Sequence, residues 1–239
     1  MEKYAVVTGA DRGLGYAFTE ELLKRNFTVF AGQFMPQWPD LENLKDQYKE
    51  KLILLDLDIS SDISVKNACY KIRKMCPYIN LLINNAGITG DVDLKLGDDL
   101  DFDKMLRLYN TNTLGALRMV NGLYDYVLLS ENKLIITISS EAASIQNCWR
   151  VNDLGYAMSK TAVNMQGAII HNSIKNEGGK QVLIHPGWLQ SYMKGQLSLL
   201  GKQTPTESAQ AILKTYLDKE IPCTEKPIYK DFRENDLPW

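Results

Sequence analysis

An α/β fold built on a parallel sheet is predicted by two features of this sequence. Short runs of aliphatic and β-branched residues alternate with longer stretches of helical periodicity along almost the whole 239-residue chain. Several of the short runs are apolar throughout, which is typical of strands covered by helices on both faces. Strand–helix–strand alternation of this kind forms right-handed crossovers between parallel strands. The expected fold is therefore a doubly wound, three-layer sheet.

The apolar runs predict seven strands, at residues 3–8, 28–31, 52–55, 79–83, 133–138, 181–185 and 227–230. The intervening stretches predict six helices, at residues 14–25, 41–49, 63–75, 114–129, 156–172 and 206–218. No repeat or low-complexity linker divides the chain, so residues 1–239 are expected to form one domain.

Three segments do not follow the alternation: 89–103, 144–155 and 188–202. The first is rich in aspartate and is interpreted as a solvated loop leading into a helix. The second is a polar connection. The third carries so much apolar area that it is expected either to pack on the body or to cover a ligand.

The composition excludes several classes of protein. The chain is 45% hydrophobic and 23% charged, with a net charge of −2, so it lacks the basic surface expected of a nucleic-acid binder. No apolar run approaches the length of a membrane span, and no secretory signal is visible at the start. Four cysteines without a C-x-x-C pair and only two histidines favour neither a disulfide scaffold nor a zinc site. We interpret the cysteines as reduced and mostly buried, in a cytoplasmic protein.

A glycine-rich turn follows the first strand. Residues 6–15 read VVTGADRGLG, with Gly9, Gly13 and Gly15 between the strand and the next helix. Glycine allows a positive φ and lets a phosphate approach the backbone, while the helix start directs free N–H groups at that phosphate. The first βα turn of an α/β chain is the usual pyrophosphate site of a dinucleotide.

Charge near the second strand favours NADP(H) over NAD(H) as the cofactor. An NAD site usually has an acid after this strand, whereas here Gln33 follows it and the first acid is Asp40. Arg12, inside the glycine turn, is expected to bind a 2′-phosphate. The alternative for Arg12 is an exposed side chain without a partner, in which case NAD(H) is equally suitable.

Tyr156 and Lys160 are four residues apart and therefore share one face of a helix. A phenol with an ordinary pKa near 10 exchanges protons poorly at neutral pH. A nearby ammonium and the positive nicotinamide are expected to lower that pKa toward the working range. Alone, the Y-x-x-x-K pattern is equally consistent with a surface pair.

Six motifs occur together in one order: TGADRGLG at 8–15, NNAG at 84–87, NTLG at 112–115, a serine at 140, YAMSK at 156–160 and PGWLQS at 186–191. Together they resemble the short-chain dehydrogenase/reductase family over essentially the whole chain. The ending, Leu237-Pro238-Trp239, is similar to that of the C-factor and sniffer-type carbonyl reductase branch. The resemblance implies a Rossmann fold with a seven-stranded parallel sheet.

The resemblance also implies four catalytic residues: Asn112, Ser140, Tyr156 and Lys160. Tyr156 is expected to act as general acid in reduction and as general base in oxidation. Lys160 would hold the nicotinamide ribose hydroxyls and lower the pKa of the phenol. Ser140 would hydrogen-bond the substrate oxygen as charge develops, and Asn112 would support a chain of waters that relays protons to the lysine.

The implied cofactor-binding residues are Gly9, Asp11, Arg12, Gly13, Leu14, Gly15, Gln33, Asp58, Asn85, Ala86, Gly87, Tyr156, Lys160, Pro186, Gly187 and Ser191. Among them, Asp58 is expected at the adenine, and the segment 84–87 is expected to line the cofactor and stabilise the sheet. Pro186, Gly187 and Ser191 would meet the nicotinamide end.

Three departures from the family pattern affect the site. Ser191 stands where threonine is usual, although the hydroxyl is retained. Ser139 adjoins Ser140, and the S-x-A-A pattern favours Ser140 as the catalytic residue, with Ser139 facing cofactor or core. A local insertion at 146–153 is expected to reshape the mouth of the pocket.

The predicted function is NADP(H)-dependent interconversion of a small-molecule carbonyl and an alcohol by hydride transfer. A non-catalytic nucleotide sensor on the same fold is the alternative, but it would have little reason to keep Ser140, Tyr156 and Lys160 together. A sugar-nucleotide epimerase needs a larger substrate domain than the part after Gly187 allows.

The pocket and the assembly are less closely defined by the sequence. Four large side chains, Trp149, Trp188, Tyr192 and Met193, indicate either an apolar pocket or ordinary packing. The long helices at 114–129 and 156–172 resemble those that pair in family dimers and tetramers, so a homodimer or homotetramer is expected. Neither a membrane nor a nucleic acid is expected as a partner.

Overall fold

Seven parallel strands form a single sheet in the order β3-β2-β1-β4-β5-β6-β7. The computed structural model describes residues 2–35, 38–90, 93–193 and 197–239. The strands are β1 (Tyr4–Val7), β2 (Thr28–Gln33), β3 (Leu52–Asp56), β4 (Leu81–Asn84), β5 (Leu134–Ile138), β6 (Lys180–His185) and β7 (Ile228–Asp231). Every neighbouring pair is parallel. The seven predicted strands and the doubly wound parallel sheet are confirmed.

The helices lie between successive strands of the chain. They are α1 (Gly13–Lys24), α2 (Asp40–Tyr48), α3 (Asp62–Met75), α4 (Phe102–Tyr109), α5 (Ala116–Leu128), α6 (Leu154–Ile174) and α7 (Pro205–Tyr216). The six predicted helices are confirmed within a few residues. Short 3-10 turns follow α2, β5 and α6.

The helix predicted at 114–129 begins earlier than expected. Helical structure runs from Phe102, through a π-helical turn at Asn110–Gly115, to Leu128. The prediction missed α4 because Phe102 and Leu106 are exposed and the aspartate-rich segment before them resembles a loop. That loop leads into a helix as expected, since the Asp101 side chain caps α4 by accepting the Lys104 N–H at 2.7 Å.

Alternate residues of each central strand are buried on opposite faces of the sheet. Val7, Ile83, Ile136 and Ile184 belong to one core layer, which also contains α1 and α7 side chains. Val6, Leu82 and Ile135 belong to the other layer, which contains α3 and α5 side chains. The apolar runs therefore reflect strands that are covered on both sides.

The start of α7 shows how local sequence fixes a boundary. Thr204 and Glu207 form a reciprocal capping box, and Pro205 takes the first helical position.

Of the described helices, none combines the length and the apolar character that crossing a membrane requires.

All four cysteines are free thiols. Cys69 and Cys76 are buried, and burial raises the pKa of each thiol to about 11. Cys148 and Cys223 are exposed, so the expectation that most cysteines are buried is correct for only half of them.

Candidate active site

The predicted site residues converge at the carboxyl edge of the sheet. The sheet order changes direction between β1 and β4, the two central neighbours from which the chain winds outward on either side. Ligands of open α/β sheets bind in the crevice at such a switch point. The motifs after β1, β4, β5 and β6 therefore surround one crevice.

The glycine turn between β1 and α1 is open where a ligand would approach it. Gly13 has a φ of 58°, and a Cβ added there would meet no atom within 4 Å. Gly15 packs α1 against the turn, since a Cβ there would lie 2.0 Å from the Gly9 carbonyl oxygen. No side chain caps the start of α1, so its first N–H groups are available to an anion.

The NNAG segment after β4 is tied to the glycine turn. Asn85 Nδ2 donates to the carbonyl oxygens of Thr8 and Gly9 at 3.0 and 3.1 Å. Thr8 Oγ1 in turn accepts the backbone N–H groups of Asn85 and Ala86, both at 3.0 Å. These bonds explain how the segment stabilises the sheet edge, as expected. Both side-chain polar atoms of Asn84 are buried without a hydrogen-bond partner in the described part of the chain.

Arg12 lies against two aromatic rings that also contact each other. Its guanidinium lies 5.0 Å from the centroid of Trp38 and 5.9 Å from that of Tyr192, and the two rings pack edge to face at 5.0 Å. Such contacts between a cation and aromatic faces fix the guanidinium plane. Arg12 is therefore not the partnerless exposed arginine of the alternative interpretation.

Three other predicted cofactor-binding residues lie at or after the ends of β1, β2 and β3, and two of them make hydrogen bonds within the protein. The Asp11 carboxylate accepts the backbone N–H groups of Phe34 and Met35 at 2.8 and 2.9 Å, which joins the glycine turn to the end of β2. Gln33 is buried at the end of β2 and brings no negative charge there. After β3, Asp58 Oδ1 accepts both the N–H and the hydroxyl of Ser60, at 2.8 and 2.6 Å.

Ser140, Tyr156 and Lys160 are brought together by β5 and α6. Ser140 lies two residues beyond the end of β5, and its side chain lies near the phenol of Tyr156 and favours the ionised form of that phenol. Lys160 Nζ lies 5.9 Å from the centroid of the Tyr156 ring and donates to the Ile138 carbonyl oxygen at 2.8 Å. A proton donor, a hydroxyl and a cation thus share one end of the crevice.

The pKa values of this cluster are set mainly by burial. Desolvation raises the pKa of Tyr156 to about 12, and the nearby Ser140 side chain opposes this only in part. Desolvation likewise lowers the pKa of Lys160 to about 8. The expected lowering of the tyrosine pKa is therefore not produced by the protein's own groups.

The π-helical turn places Asn112 beside the same crevice. Its Oδ1 accepts the Ile88 N–H at 2.8 Å, and its Nδ2 donates to the Ile88 carbonyl and to Ser159 Oγ at 2.9 and 3.0 Å. Asn112 thereby joins the segment after β4 to α6. Insertions of this type inside helices are frequent at functional sites.

Gly87 packs closely against this asparagine. A Cβ added to Gly87 would lie 3.2 Å from Asn112 Oδ1 and 3.8 Å from Lys160 Nζ. The absence of a side chain therefore lets the segment after β4 approach both Asn112 and the Lys160 ammonium.

The segment after β6 folds on itself rather than forming a helix. Pro186 is fixed by the Ser208 hydroxyl, which donates to its carbonyl oxygen at 2.7 Å, and Gly187 has a φ of 87°. Ser191 pairs with Ser198 through two backbone hydrogen bonds of 3.3 and 2.9 Å. Tyr192 packs on Trp38, so this segment reaches the Arg12 end of the crevice as well as the end near Lys160.

The insertion at 146–153 is anchored at several points beside Ser140. Arg150 makes two hydrogen bonds, of 3.0 and 2.5 Å, to the carboxylate of Glu141, and this ion pair lowers the pKa of Glu141. The Gln146 N–H donates to the Trp239 carbonyl oxygen at 2.9 Å. Trp149 stacks on Arg150 with its ring exposed to solvent. The insertion therefore forms a fixed rim of the pocket.

Sequence reasoning missed three contributors to the site: Trp38, Ser159 and Tyr229. Trp38 lies in the connection after β2, where no spacing rule links it to Arg12. The fold places Ser159 against Asn112, with its hydroxyl accepting a hydrogen bond from Asn112 Nδ2. Tyr229 on β7 donates to the Ser140 carbonyl oxygen at 2.6 Å. The Y-x-x-S-K spacing was the one signal that could have singled out Ser159.

Replacing Lys160 by methionine is expected to stabilise the protein at pH 7. With a folded pKa of about 8 against an ordinary value of 10.5, the buried ammonium costs about 3 kcal/mol at pH 7. Loss of its bond to Ile138 offsets about 1–2 kcal/mol of the gain. Because the unfolded chain binds the proton more tightly, wild-type stability rises between pH 8 and pH 10.5, and the advantage of the variant disappears there.

Urea unfolding at pH 7 and at about pH 10 measures this difference. Lys66→Met, at an exposed position of α3, is the matched control and should show no such reversal. A Lys160→Met protein that is less stable than wild type at both pH values would show that burial of the ammonium is not costly.

Comparison with known proteins places these observations in a family. A sequence profile of the short chain dehydrogenases matches residues 3–199. Estradiol 17-beta-dehydrogenase 2 of Rattus norvegicus is 27% identical over 223 residues, which cover 92% of this chain and 55% of that protein. The chain thus spans about half the length of that relative.

Two further similarities cover more of the other protein. C-signal of Myxococcus xanthus is 29% identical over 161 residues, which cover 67% of this chain and 93% of that protein. The crystal structure of NADPH-bound carbonyl reductase from chicken fatty liver is 27% identical, with a TM-score of 0.88 over 100% of this chain and 94% of that chain. Both agree with the branch indicated by the sequence. With the profile match and the shared fold, the chain belongs to the short-chain dehydrogenase/reductase family.

Proposed function

We propose that this protein is an NADP(H)-dependent oxidoreductase that reduces a carbonyl group to an alcohol, with residues 1–239 acting as one domain. The observation that carries the proposal is the cluster at the end of β5 and the start of α6. There the side chains of Ser140 and Tyr156 lie near each other, and the Lys160 ammonium lies 5.9 Å from the centroid of the Tyr156 ring. The names of the relatives, a steroid dehydrogenase and a carbonyl reductase, support the same reaction class.

The crevice fits a dinucleotide. Gly13 faces open space, the start of α1 has no side-chain cap, and Gly87 lies close to the Lys160 ammonium. These features would hold a pyrophosphate at one point and the nicotinamide ribose at the other. At the adenosine end, Arg12 and the uncharged Gln33 suit a 2′-phosphate. The NADPH of the chicken carbonyl reductase supports this choice.

The cofactor supplies the hydride when it is bound. The chain's own residues supply the proton and stabilise the substrate oxygen. With its pKa raised to about 12, Tyr156 carries its proton throughout the physiological range and can donate it to that oxygen. The Ser140 hydroxyl donates a hydrogen bond to the same oxygen as negative charge develops there. Lys160 stabilises the phenolate left behind, and Asn112 keeps the segment after β4 in place against α6.

The substrate is proposed to be a small, largely apolar carbonyl compound. Next to Tyr156, a small cavity is lined by the apolar Leu94, Leu100, Met105, Leu108 and Leu154 together with the charged Asp101, Lys104 and Asp153. Trp149 and Trp188 are exposed, Met193 is partly exposed, and Tyr192 packs on Trp38. Three of the four large side chains considered from the sequence are therefore free to contact a ligand.

A thermal-shift titration with NADPH and NADH, followed by a panel of carbonyls and alcohols with the better nucleotide, tests the proposal. NADPH is expected to raise the melting temperature at lower concentration than NADH, since at equal concentration the ligand with the lower Kd stabilises the folded state more. Consumption of NADPH with at least one apolar carbonyl is then expected. Binding of NADPH without turnover of any compound would favour the nucleotide sensor instead.

A homodimer or homotetramer is proposed from exposed apolar side chains on two long helices. Leu117 and Tyr124 on α5 and Met165 and Ile169 on α6 are all exposed to solvent. Light scattering after size-exclusion chromatography is expected to give a multiple of the monomer mass. Ile169→Asp is expected to shift that mass toward the monomer, whereas Ile63→Asp, at an exposed site of α3, should not. A monomeric wild-type protein at micromolar concentration would contradict this assembly.

The free state of all four cysteines suits a reducing compartment, and we propose a cytoplasmic location.

A further inference from the structure

A buried phenol on the last strand contacts the backbone of the proposed catalytic serine. Tyr229 lies on β7 with 3% of its surface exposed, and its hydroxyl donates to the Ser140 carbonyl oxygen at 2.6 Å. Burial raises the pKa of Tyr229 to about 12, so the phenol keeps the proton that this bond requires. The contact joins an outer strand of the sheet to the centre of the site.

The turn at Ser140 is tied to its surroundings at several points. Ser140 opens the 3-10 turn Glu141–Ala143, in which its carbonyl accepts the Ala143 N–H at 3.0 Å and its hydroxyl accepts the Ala142 N–H at 3.1 Å. The Ser139 N–H donates to the Ile184 carbonyl oxygen at 2.8 Å, and Thr161 Oγ1 donates to the Ala143 carbonyl oxygen at 3.1 Å. In the part of the chain that the structure describes, the bond from Tyr229 is the one that connects Ser140 itself to another strand.

The C-terminal residues after β7, 232–239, contact Tyr229. The ring of Trp239 lies 5.4 Å from that of Tyr229, and the Leu237 N–H donates to the Tyr229 carbonyl at 3.1 Å. Through Gln146, the same C-terminal residues also hold the insertion that follows Ser140. The phenol, the serine turn and the rim of the pocket thus form one connected unit.

An ordinary packing role does not require this partner. Tyr216 on α7 is buried like Tyr229, yet its hydroxyl has no hydrogen-bond partner among the residues described by the structure. Tyr216 therefore provides a comparison residue: a buried phenol on another element with no bond to the serine turn.

We propose that Tyr229 is a positioning residue for the reduction, acting through Ser140; this rests on the catalytic role proposed above for Ser140. In Tyr229→Phe the ring remains packed against Trp239, but the Ser140 carbonyl loses its hydrogen bond to β7. Misplacement of a catalytic group by about 1 Å can cost up to about 100-fold in rate. We expect kcat to fall about tenfold, with the KM for NADPH unchanged.

Kinetics of four variants test the proposal: Tyr229→Phe, Ser140→Ala, the double variant and the control Tyr216→Phe. The control should keep wild-type kcat. In the Ser140→Ala background, Tyr229→Phe should have no further effect, because the hydroxyl that it positions is absent. Wild-type kcat in Tyr229→Phe, or an equal further loss in the double variant, would overturn the positioning role. Full activity of Ser140→Ala would instead refute the role of Ser140 itself.

Hydrogen exchange gives a second readout that does not depend on activity. The Ala142 and Ala143 amides, both bonded to Ser140, should exchange faster in Tyr229→Phe than in the wild type. They should exchange at the wild-type rate in Tyr216→Phe. Unchanged exchange in Tyr229→Phe would show that the phenol does not hold the turn, and would likewise overturn the proposal.

Discussion

Replacing Tyr156 by phenylalanine is expected to lower kcat for carbonyl reduction by about 100- to 10,000-fold. The ring and its packing remain, but the group that donates the proton to the substrate oxygen is lost. The affinity for NADPH should change little, because the glycine turn and Lys160 remain in place. Steady-state kinetics and a fluorescence titration with NADPH measure the two quantities separately.

Tyr70→Phe is a suitable control for this variant, since Tyr70 is an exposed tyrosine on α3, on another part of the surface. It should retain wild-type kcat. A Tyr156→Phe protein with undiminished turnover would exclude the phenol as the proton donor, and with it the proposed mechanism.

Replacing Arg12 by alanine is expected to weaken NADPH binding by about 10- to 100-fold while changing NADH binding far less. A charge-assisted hydrogen bond contributes about 1.5–3 kcal/mol, and only NADPH has the 2′-phosphate that would receive it. The stack on Trp38 and Tyr192 is lost with both nucleotides, so the NADH measurement reports that loss alone.

Arg12→Lys separates the effect of the charge from that of the guanidinium, because lysine keeps the positive charge but lacks the planar group that contacts both rings. It should bind NADPH with intermediate affinity. The exposed Arg233, which lies beyond β7, provides a control in Arg233→Ala. Equal losses for NADPH and NADH in Arg12→Ala would remove the case for a phosphate contact.

The strands could be predicted because burial on both faces of the sheet requires runs of consecutive apolar residues. Most helices could be predicted from the stretches of helical periodicity between those runs. The runs around Val6, Ile83, Ile135 and Ile184 are apolar since both core layers need them. The motifs could be placed in one crevice because they follow the ends of parallel strands, which lie at the same edge of the sheet. Helix α4 was missed because two of its apolar side chains, Phe102 and Leu106, face solvent, and Leu108 is its one buried residue.

The properties that the sequence could not supply depend on three-dimensional surroundings. The pKa of Tyr156 is raised by burial, and no sequence pattern measures how much water the fold removes. The stack of Arg12 on Trp38 and Tyr192 joins three distant segments. The bond from Tyr229 to Ser140 arises from the placement of β7 beside β6 in the sheet.

Transfer of deuterium from labelled NADPH measures the proposed hydride transfer itself. The protein is incubated with NADPH in which both hydrogens on the reactive nicotinamide carbon are replaced by deuterium, together with an apolar carbonyl compound, and the product is examined by mass spectrometry. Hydride transfer predicts an alcohol with one deuterium on the former carbonyl carbon, at a rate that depends on Tyr156. An alcohol without deuterium, or the same rate in Tyr156→Phe, would contradict the proposed reaction.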